Sequence, residues 1–173
     1  LTTGTHNTAV GHNALTANTS ANRNTAVGRH ALTANTTGED NVGIGYHALV
    51  ENTTGEDNVA VGSYALDANT TASNNVAIGY YALTSTVTGF NNVAVGVNAL
   101  YTNTASNNTA IGRDALKLST ADNCVAVGSL ALAANSTGAA NVAVGYGALN
   151  DNTTGNYNIA IGGGALDLSL IHI

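Results

Sequence analysis

The side chains that could do chemistry lie in the two positions that follow a recurring glycine. These positions hold His12, Arg29, His30, Tyr46, His47, Tyr64, Tyr80, Tyr81, Arg113 and Tyr146. Aromatic rings lined up on a surface are suited to stacking on sugar rings. The binding hypothesis is glycan contact at an exposed corner, with a solvated corner, where tyrosine covers apolar neighbours, as its alternative. The candidate ligand-binding residues are His30, Tyr46, His47, Tyr64, Tyr80 and Tyr81.

Metal binding and catalysis find little support among the same side chains. His30 and His47 occupy equivalent positions, but two imidazoles make a poor zinc site without a third ligand. The pairs Glu39–Asp40 and Glu56–Asp57 could attract calcium, yet only two repeats carry them, which favours a solvated charged turn. No nucleophile–base arrangement recurs, and there is no phosphate-binding loop. We therefore predict no metal, no cofactor and no enzymatic activity.

The element that must position these side chains is a tenfold repeat. Its glycines fall seventeen residues apart, with two steps of sixteen. They are Gly11, Gly28, Gly45, Gly62, Gly79, Gly96, Gly112, Gly128, Gly145 and Gly162. A short fixed period means that each repeat is one structural unit, which buries its apolar face against its neighbours.

Each repeat has the form Asn-(Val/Thr)-Ala-(Val/Ile)-Gly-x-x-Ala-Leu. In the third repeat, residues 42–44 are β-branched at alternate sites and predict a short strand, after which Gly45 permits a tight corner. Ala48 and Leu49 begin a second apolar stretch, interpreted as a second strand, and residues 52–55 have turn chemistry. A helix is disfavoured by the density of Asn, Thr and Gly. We predict an all-β parallel β-solenoid of ten rungs over residues 1–167.

Stacked rungs place equivalent residues in columns. The Leu column, represented by Leu49, Leu66 and Leu83, and the Val/Ile column before the glycine are predicted to be internal ladders. The Asn column that opens the strand, represented by Asn41, Asn58 and Asn75, is predicted to hydrogen-bond along the axis in a structural role. A second Asn column follows Ala-Leu. Its N-x-(Ser/Thr) sequons arise automatically from the repeat.

The residue between the two β-branched positions is always small. It is Ala in nine repeats and Gly43 in the other, so both faces of the strand are apolar. One hypothesis is that this sheet packs against other subunits, with Ala26, Gly43, Ala60, Ala77 and Ala94 as interface candidates. The alternative is an Ala ladder that fills a very narrow interior. The sequence leaves open which face points toward a partner.

The composition excludes several function classes. Only 8% of the residues are charged, and the net charge is −6 with four basic residues. This balance argues against binding nucleic acid or anionic membranes. No apolar run is long enough to span a bilayer. Cys124, the one cysteine, replaces an Asn of the first column and is interpreted as a small substitution.

The two ends of the chain lead to separate expectations. Residues 1–4 fit the end of an earlier repeat, so we expect a fragment of a longer array. Residues 168–173 fit no repeat position. They resemble a translated adapter from an environmental sequencing library, and they are expected to lie outside the fold. The alternative for this segment is a divergent final rung.

The repeat resembles known families. Asn-x-Ala-(Val/Ile)-Gly followed by small residues resembles the head repeats of YadA-like trimeric autotransporter adhesins. The longer form, which continues as Ala-Leu-x-x-Asn-Thr-Thr-Gly, is similar to arrays in phage and bacterial tail-fibre-type proteins. The resemblance covers residues 1–167. It implies a left-handed parallel β-roll, three chains side by side, and display on a bacterial cell surface or a virion tail.

Two functions follow as expectations. The first is a non-enzymatic structural and adhesive segment of a homotrimeric surface or tail fibre, which acts as a spacer and makes weak multivalent contact with a glycan or host receptor. The second is ice binding, for which a solenoid presents regular Thr or Ala ranks. One Thr rank contains Thr36 and Thr53, and a neighbouring rank contains Thr37 and Thr54. The adjacency of these ranks in sequence argues against one flat ice-binding face.

Overall fold

The computed structural model describes residues 3–167, which form a single parallel sheet of ten strands with three residues each. The strands are β1 Thr8–Val10, β2 Thr25–Val27, β3 Val42–Ile44, β4 Val59–Val61, β5 Val76–Ile78, β6 Val93–Val95, β7 Thr109–Ile111, β8 Val125–Val127, β9 Val142–Val144 and β10 Ile159–Ile161. Each strand pairs with the next one along the chain. These described residues contain no helix, and the predicted all-β solenoid is confirmed. The expectation for residues 168–173 lies outside the described residues.

The sheet keeps one register from end to end. Ala60 pairs with Ala77, which lies seventeen residues later, and Ala94 pairs with Ala110 across a sixteen-residue step. The sixteen-residue repeats are one residue shorter in the turn that follows Leu. There the side-chain amide of Asn103 donates to the carbonyl two residues on, whereas that of Asn52 donates to the carbonyl three residues on. A change of length at this turn therefore leaves the strands undisturbed.

The prediction of two strands per rung is wrong, because each rung contains one. The stretch around Ala48 and Leu49 is a series of turns. Leu49 has a φ of 52°, and His47, two residues before it, has a φ of 57°. A left-handed residue breaks the alternation of an extended strand. Ala48 and Leu49 can consequently both point inward, and both are fully buried.

The core consists of Leu and Ala ladders inside a narrow solenoid. Leu49, Leu66 and Leu83 are fully buried. The small residue at the centre of each strand faces them across the interior. At Gly43, an added Cβ would come within 3.2 Å of the Cγ of Leu32, so the space accepts nothing larger than a methyl group. The narrow interior explains why this column contains only Ala and Gly.

The structure corrects the assignment of the small column to a subunit interface. Within the chain, the residues proposed for that role are buried inside the solenoid, where no partner can reach them. They are Ala26, Gly43, Ala60, Ala77 and Ala94. The alternative interpretation, an Ala ladder that fills the interior, describes their position.

The Val/Ile column is also corrected, because it faces outward. Ile44 is 38% exposed and Ile78 is 40% exposed, whereas the Ala or Gly between the β-branched positions of each inner strand is buried. Side chains of a strand alternate between its two faces. Once Ala fills the interior, both β-branched residues must point away from it.

The recurring glycine is required at the corner for two reasons. Gly79 has a φ of +138°, a region that side-chain-bearing residues rarely adopt. An added Cβ at Gly79 would also lie 2.5 Å from the carbonyl oxygen of Gly96 in the next rung. Backbone therefore packs on backbone at this edge.

Buried amides join the rungs along the axis. The Oδ1 of Asn41 accepts a hydrogen bond from the backbone N–H of Asn58 at 3.0 Å, and the Oδ1 of Asn58 accepts one from Asn75 at 3.0 Å. The Nδ2 of Asn41 donates to the carbonyl of Gly55 at 2.8 Å. Because all of these amides are buried, each bond satisfies a backbone group that water cannot reach. Cys124 replaces one such Asn, and burial raises the pKa of its thiol.

Candidate binding surface

The side chains after the glycine form a continuous series of ring contacts along one edge of the solenoid. Ring centroids are 5.1 Å apart between His30 and His47, 5.5 Å between His47 and Tyr64, and 4.8 Å between Tyr64 and Tyr81. The series extends to His12 at one end and to Tyr101 at the other. The predicted ligand-binding residues are thus brought together.

The fold produces this series through the register of the rungs. The second residue after the glycine has a left-handed φ, which is 57° at His47, 59° at Tyr64 and 55° at Tyr81. Since the same backbone conformation recurs in every rung, equivalent side chains leave the corner in the same direction. Strands in a sheet lie about 4.8 Å apart, close to the spacing of stacked rings.

The two columns after the glycine differ in how their ring faces are covered. In the second column, Tyr64 and Tyr81 are nearly parallel, with 7° between their planes, so each covers a face of the other. In the first column, Tyr80 is 50% exposed and Tyr146 is 66% exposed. The Tyr46 ring lies under the guanidinium of Arg29, 5.8 Å from the ring centroid to Cζ. Sequence reasoning treated the columns as equivalent, although the rung spacing could have distinguished them.

Packing along this edge changes the acidity of its groups. Burial lowers the pKa of His30, and the neighbouring Arg29, His47 and His12 lower it further. A hydrogen bond with Tyr80, together with burial, raises the pKa of Tyr81 to about 12. Burial and a hydrogen bond with Tyr46 raise the pKa of Tyr64. At neutral pH, Tyr64 and Tyr81 are therefore uncharged hydroxyls.

Sequence reasoning missed Asp67. Its Oδ1 is buried without a hydrogen-bond partner, and burial raises the pKa of its carboxyl to about 6. In the same column, Thr33 and Thr84 donate their hydroxyls to backbone carbonyls twenty residues earlier. An ionised carboxylate has no proton to donate. The column also contains Val, Tyr, Lys, Ala, Asn and a second Asp, so its residue types gave no signal that the Oδ1 of Asp67 would be buried.

The acidic turn is occupied by an arginine from the preceding rung. Arg23 contacts Glu39 at 2.6 Å and Asp40 at 2.7 Å. The hydrogen bond from Arg23 holds the pKa of Asp40 below its ordinary value. Across residues 3–167, no group of three or more His, Cys, Asp or Glu side chains could hold a metal ion.

The two Thr ranks have different surroundings. In the first rank, the hydroxyls of Thr36 and Thr53 donate to backbone carbonyls of the next rung at 3.0 Å. In the second rank, Thr37 and Thr54 are exposed. One rank therefore serves the rung-to-rung hydrogen bonding and the other faces solvent.

The outer face of the sheet is a second candidate surface. It consists of the first and third residues of each strand, here called the outer face, and it contains no charged side chain. Seventeen of its twenty residues are Val or Ile, and the others are Thr. Its exposed members include Val10, Ile44, Ile78, Ile111, Ile159 and Ile161. A continuous apolar stripe along the whole sheet is characteristic of an interaction surface.

The fold and these surfaces define the chain as a parallel β-solenoid repeat protein. Comparison with known protein families, curated proteins and solved structures yields no match to it. Among residues 3–167, no helix is long and apolar enough to cross a membrane.

Proposed function

We propose that this chain is a structural and adhesive segment of a homotrimeric fibre, displayed on a bacterial cell surface or a virion tail and without enzymatic activity. The observation that carries the proposal is the outer face. An apolar stripe that follows all ten strands needs a partner as long as the solenoid itself. A second and a third copy of the chain supply that partner.

The shape of the outer face favours a copy of the same chain. Ten strands about 4.8 Å apart make a face about 43 Å long. Three residues at about 3.3 Å each make it about 10 Å wide, and its plan area of roughly 430 Å² is at the level of the largest patches on monomers. Its ridges repeat with the rung spacing. Another copy in parallel orientation has the same period, so ridges and grooves match along the entire length.

The trimeric state and the display on a cell surface or virion tail are taken from the resemblance of the repeat to adhesin heads and tail-fibre arrays. Side-by-side trimers occur in the adhesin heads whose Asn-x-Ala-(Val/Ile)-Gly unit this repeat resembles. The adhesive part of the proposal rests on the exposed rings after the glycine. Three parallel copies raise the avidity of weak contacts without requiring a strong single site.

Light scattering on residues 1–167 tests the assembly. We expect the mass of a trimer without any added trimerising segment, and a sample fused to such a segment provides the reference mass. Ile78→Glu places a charge on the outer face and should yield a folded monomer by circular dichroism. Thr71→Glu adds the same charge at an exposed turn and should remain a trimer. A folded monomer of the unmodified chain would overturn the proposal.

Ice binding is the alternative function, favoured by the exposed Thr rank that contains Thr37 and Thr54. A thermal-hysteresis measurement separates the two functions. Hysteresis that is lost on Thr54→Leu and retained on Ile78→Glu would support ice binding. Its absence in the unmodified chain supports the fibre.

A further inference from the structure

The first position after the glycine alternates with a period of two rungs. Planar side chains occupy the odd rungs, and these are His12, Tyr46, Tyr80, Arg113 and Tyr146. The even rungs from the fourth onward carry smaller residues, Ser63, Val97, Ser129 and Gly163. Arg29, in the second rung, is the exception. The alternation has twice the period of the repeat, so it becomes apparent only when successive rungs are compared.

The alternation spaces the planar groups at twice the rung distance. Two rungs correspond to about 9.6 Å, and the five groups span about 38 Å. Tyr80 is 50% exposed, Tyr146 is 66% exposed, and the side chain of Arg113 is 63% exposed. Four of the five groups, which are His12, Tyr80, Arg113 and Tyr146, are therefore exposed in a row parallel to the axis of the solenoid. Tyr46 is half-buried, and the guanidinium of Arg29 from the preceding rung lies over its ring.

Tyr80 is more accessible to a ligand than the rings of the neighbouring column, because it is exposed whereas Tyr64 and Tyr81 are half-buried. Tyr64 and Tyr81 are in adjacent rungs and stack on each other at 4.8 Å. Tyr80 stands at 75° to Tyr64 and at 68° to Tyr81, so it lies outside their stack. The residues on either side of it in its own column, Ser63 and Val97, are too small to cover a tyrosine ring.

We propose that this row binds an extended β-1,4-linked polysaccharide that runs along the fibre axis, a ligand class that rests on the adhesive function proposed above. In such a chain, each sugar is turned over relative to the next, so alternate sugars present the same face one disaccharide repeat apart. That repeat is nearly the length of two rungs. Every second sugar can then stack on a planar side chain of an odd rung, while the small even-rung residues leave room for the sugars between.

Calorimetric titration of the intact chain tests this assignment. The probes are soluble hexasaccharides of β-1,4-linked glucose and of β-1,4-linked N-acetylglucosamine. An α-1,4-linked glucose hexamer, which coils instead of extending, is the ligand control. We expect binding of at least one β-linked probe and at least tenfold weaker binding of the α-linked control. Equal binding of the α-linked hexamer, or no binding of either β-linked probe, would overturn the proposal.

A swap of two residues tests the spacing itself. Tyr80→Val combined with Val97→Tyr keeps the composition and moves one ring to an even rung. We expect affinity to fall roughly three- to tenfold, as in the single variant Tyr80→Val. Tyr157→Ala removes an 83% exposed ring from another edge of the rung and should leave binding unchanged. If the swapped variant binds like the unmodified chain, the alternation serves only to avoid crowding.

Light scattering of the same samples separates this proposal from the fibre proposal. A trimer that binds neither β-linked probe would overturn the polysaccharide site and leave the fibre standing. A monomer that binds a β-linked hexamer with the expected dependence on Tyr80 would support the site and overturn the trimer.

Discussion

Leucine is held in a left-handed backbone conformation in every rung. The φ values of this column lie between 48° at Leu116 and 55° at Leu166. Such a conformation costs about 1–3 kcal/mol for a residue with a side chain, and burial of a leucine returns about 1.5–3 kcal/mol. A β-branched residue suits a positive φ poorly, which explains why a column so apolar contains no Val or Ile.

The interior leucine ladder should be sensitive to truncation. We expect Leu66→Ala to lower the free energy of unfolding by about 2–5 kcal/mol, because the narrow interior cannot collapse around the cavity. Urea denaturation followed by circular dichroism measures the loss. Leu118→Ala, at a residue 47% exposed, is the matched control and should change stability little. Equal losses at both sites would contradict the assignment of the core.

Asp67 should make stability depend on pH. Its pKa rises from 3.8 to about 6 on folding, so the folded state holds the proton more tightly. The stabilisation is present below about pH 4 and is lost as the pH rises through 6. Asp67→Thr supplies a hydroxyl donor like that of Thr84 and should remove this dependence.

The measurement for Asp67 is the Tm at about pH 4 and about pH 7. We expect the Tm of Asp67→Thr to exceed that of the unmodified chain at the higher pH, with the difference shrinking at the lower pH. Asp57→Asn, at an exposed turn, should follow the unmodified chain. A constant difference between Asp67→Thr and the unmodified chain at both pH values would contradict the role of the carboxyl.

The corner is the element that closes each rung, and its two glycine positions should respond differently. Gly145 has a φ of +133°, and an added Cβ would lie 2.5 Å from the carbonyl oxygen of Gly162. Gly147 has a φ of +61° and open space around it. We expect Gly145→Ala to destabilise the fold by more than about 2 kcal/mol.

Gly147→Asn is the control within the same rung, since Asn98 occupies the equivalent position with a φ of 55°. It should cost less than about 1 kcal/mol, because Asn tolerates the left-handed region. Denaturation midpoints of the two variants give the comparison. If Gly145→Ala and Gly147→Asn lower the free energy of unfolding equally, lack of space is not the reason that the corner requires glycine.

In the proposed fibre, one face of the strand serves folding and the other serves association of chains. Ala60→Leu overfills the interior and should lower the free energy of unfolding by about 1–3 kcal/mol or more. Ile78→Glu should leave the rung folded and weaken only the association of chains. Denaturation and light scattering on both variants distinguish these effects. An Ala60→Leu chain with unchanged stability would contradict the inward direction of the small column.

The sequence allowed prediction of the repeat, the strand and its register, because columns of identical residues depend only on the period. It did not predict which face of the strand is inside. Ala60 and Val61 are both apolar, so the choice depends on the width of the interior, which is a property of the closed rung. It also failed at Ala48–Leu49, where two consecutive buried residues are explained by a left-handed φ instead of a second strand. The ring series after the glycine was predicted as a site, but not the difference between its columns.

At the scale of the whole molecule, each rung contacts only its neighbours, so stability should add rung by rung. Deletion of residues 59–75 removes one complete rung and joins equivalent positions. We expect a folded chain whose free energy of unfolding falls by roughly one-tenth. Deletion of residues 59–67 removes about half a rung, shifts every later column and should abolish cooperative unfolding. Thermal denaturation of both deletions provides the test.

The backbone hydrogen bonds of the solenoid lie along its axis, between rungs seventeen residues apart. Tension applied from β1 to β10 therefore loads them one after another instead of all together. A detached rung straightens to about 56–61 Å, compared with about 4.8 Å when stacked, and releases roughly 50 Å of slack. We therefore expect the solenoid to lengthen in steps under load, one rung at a time, while the remaining rungs stay folded.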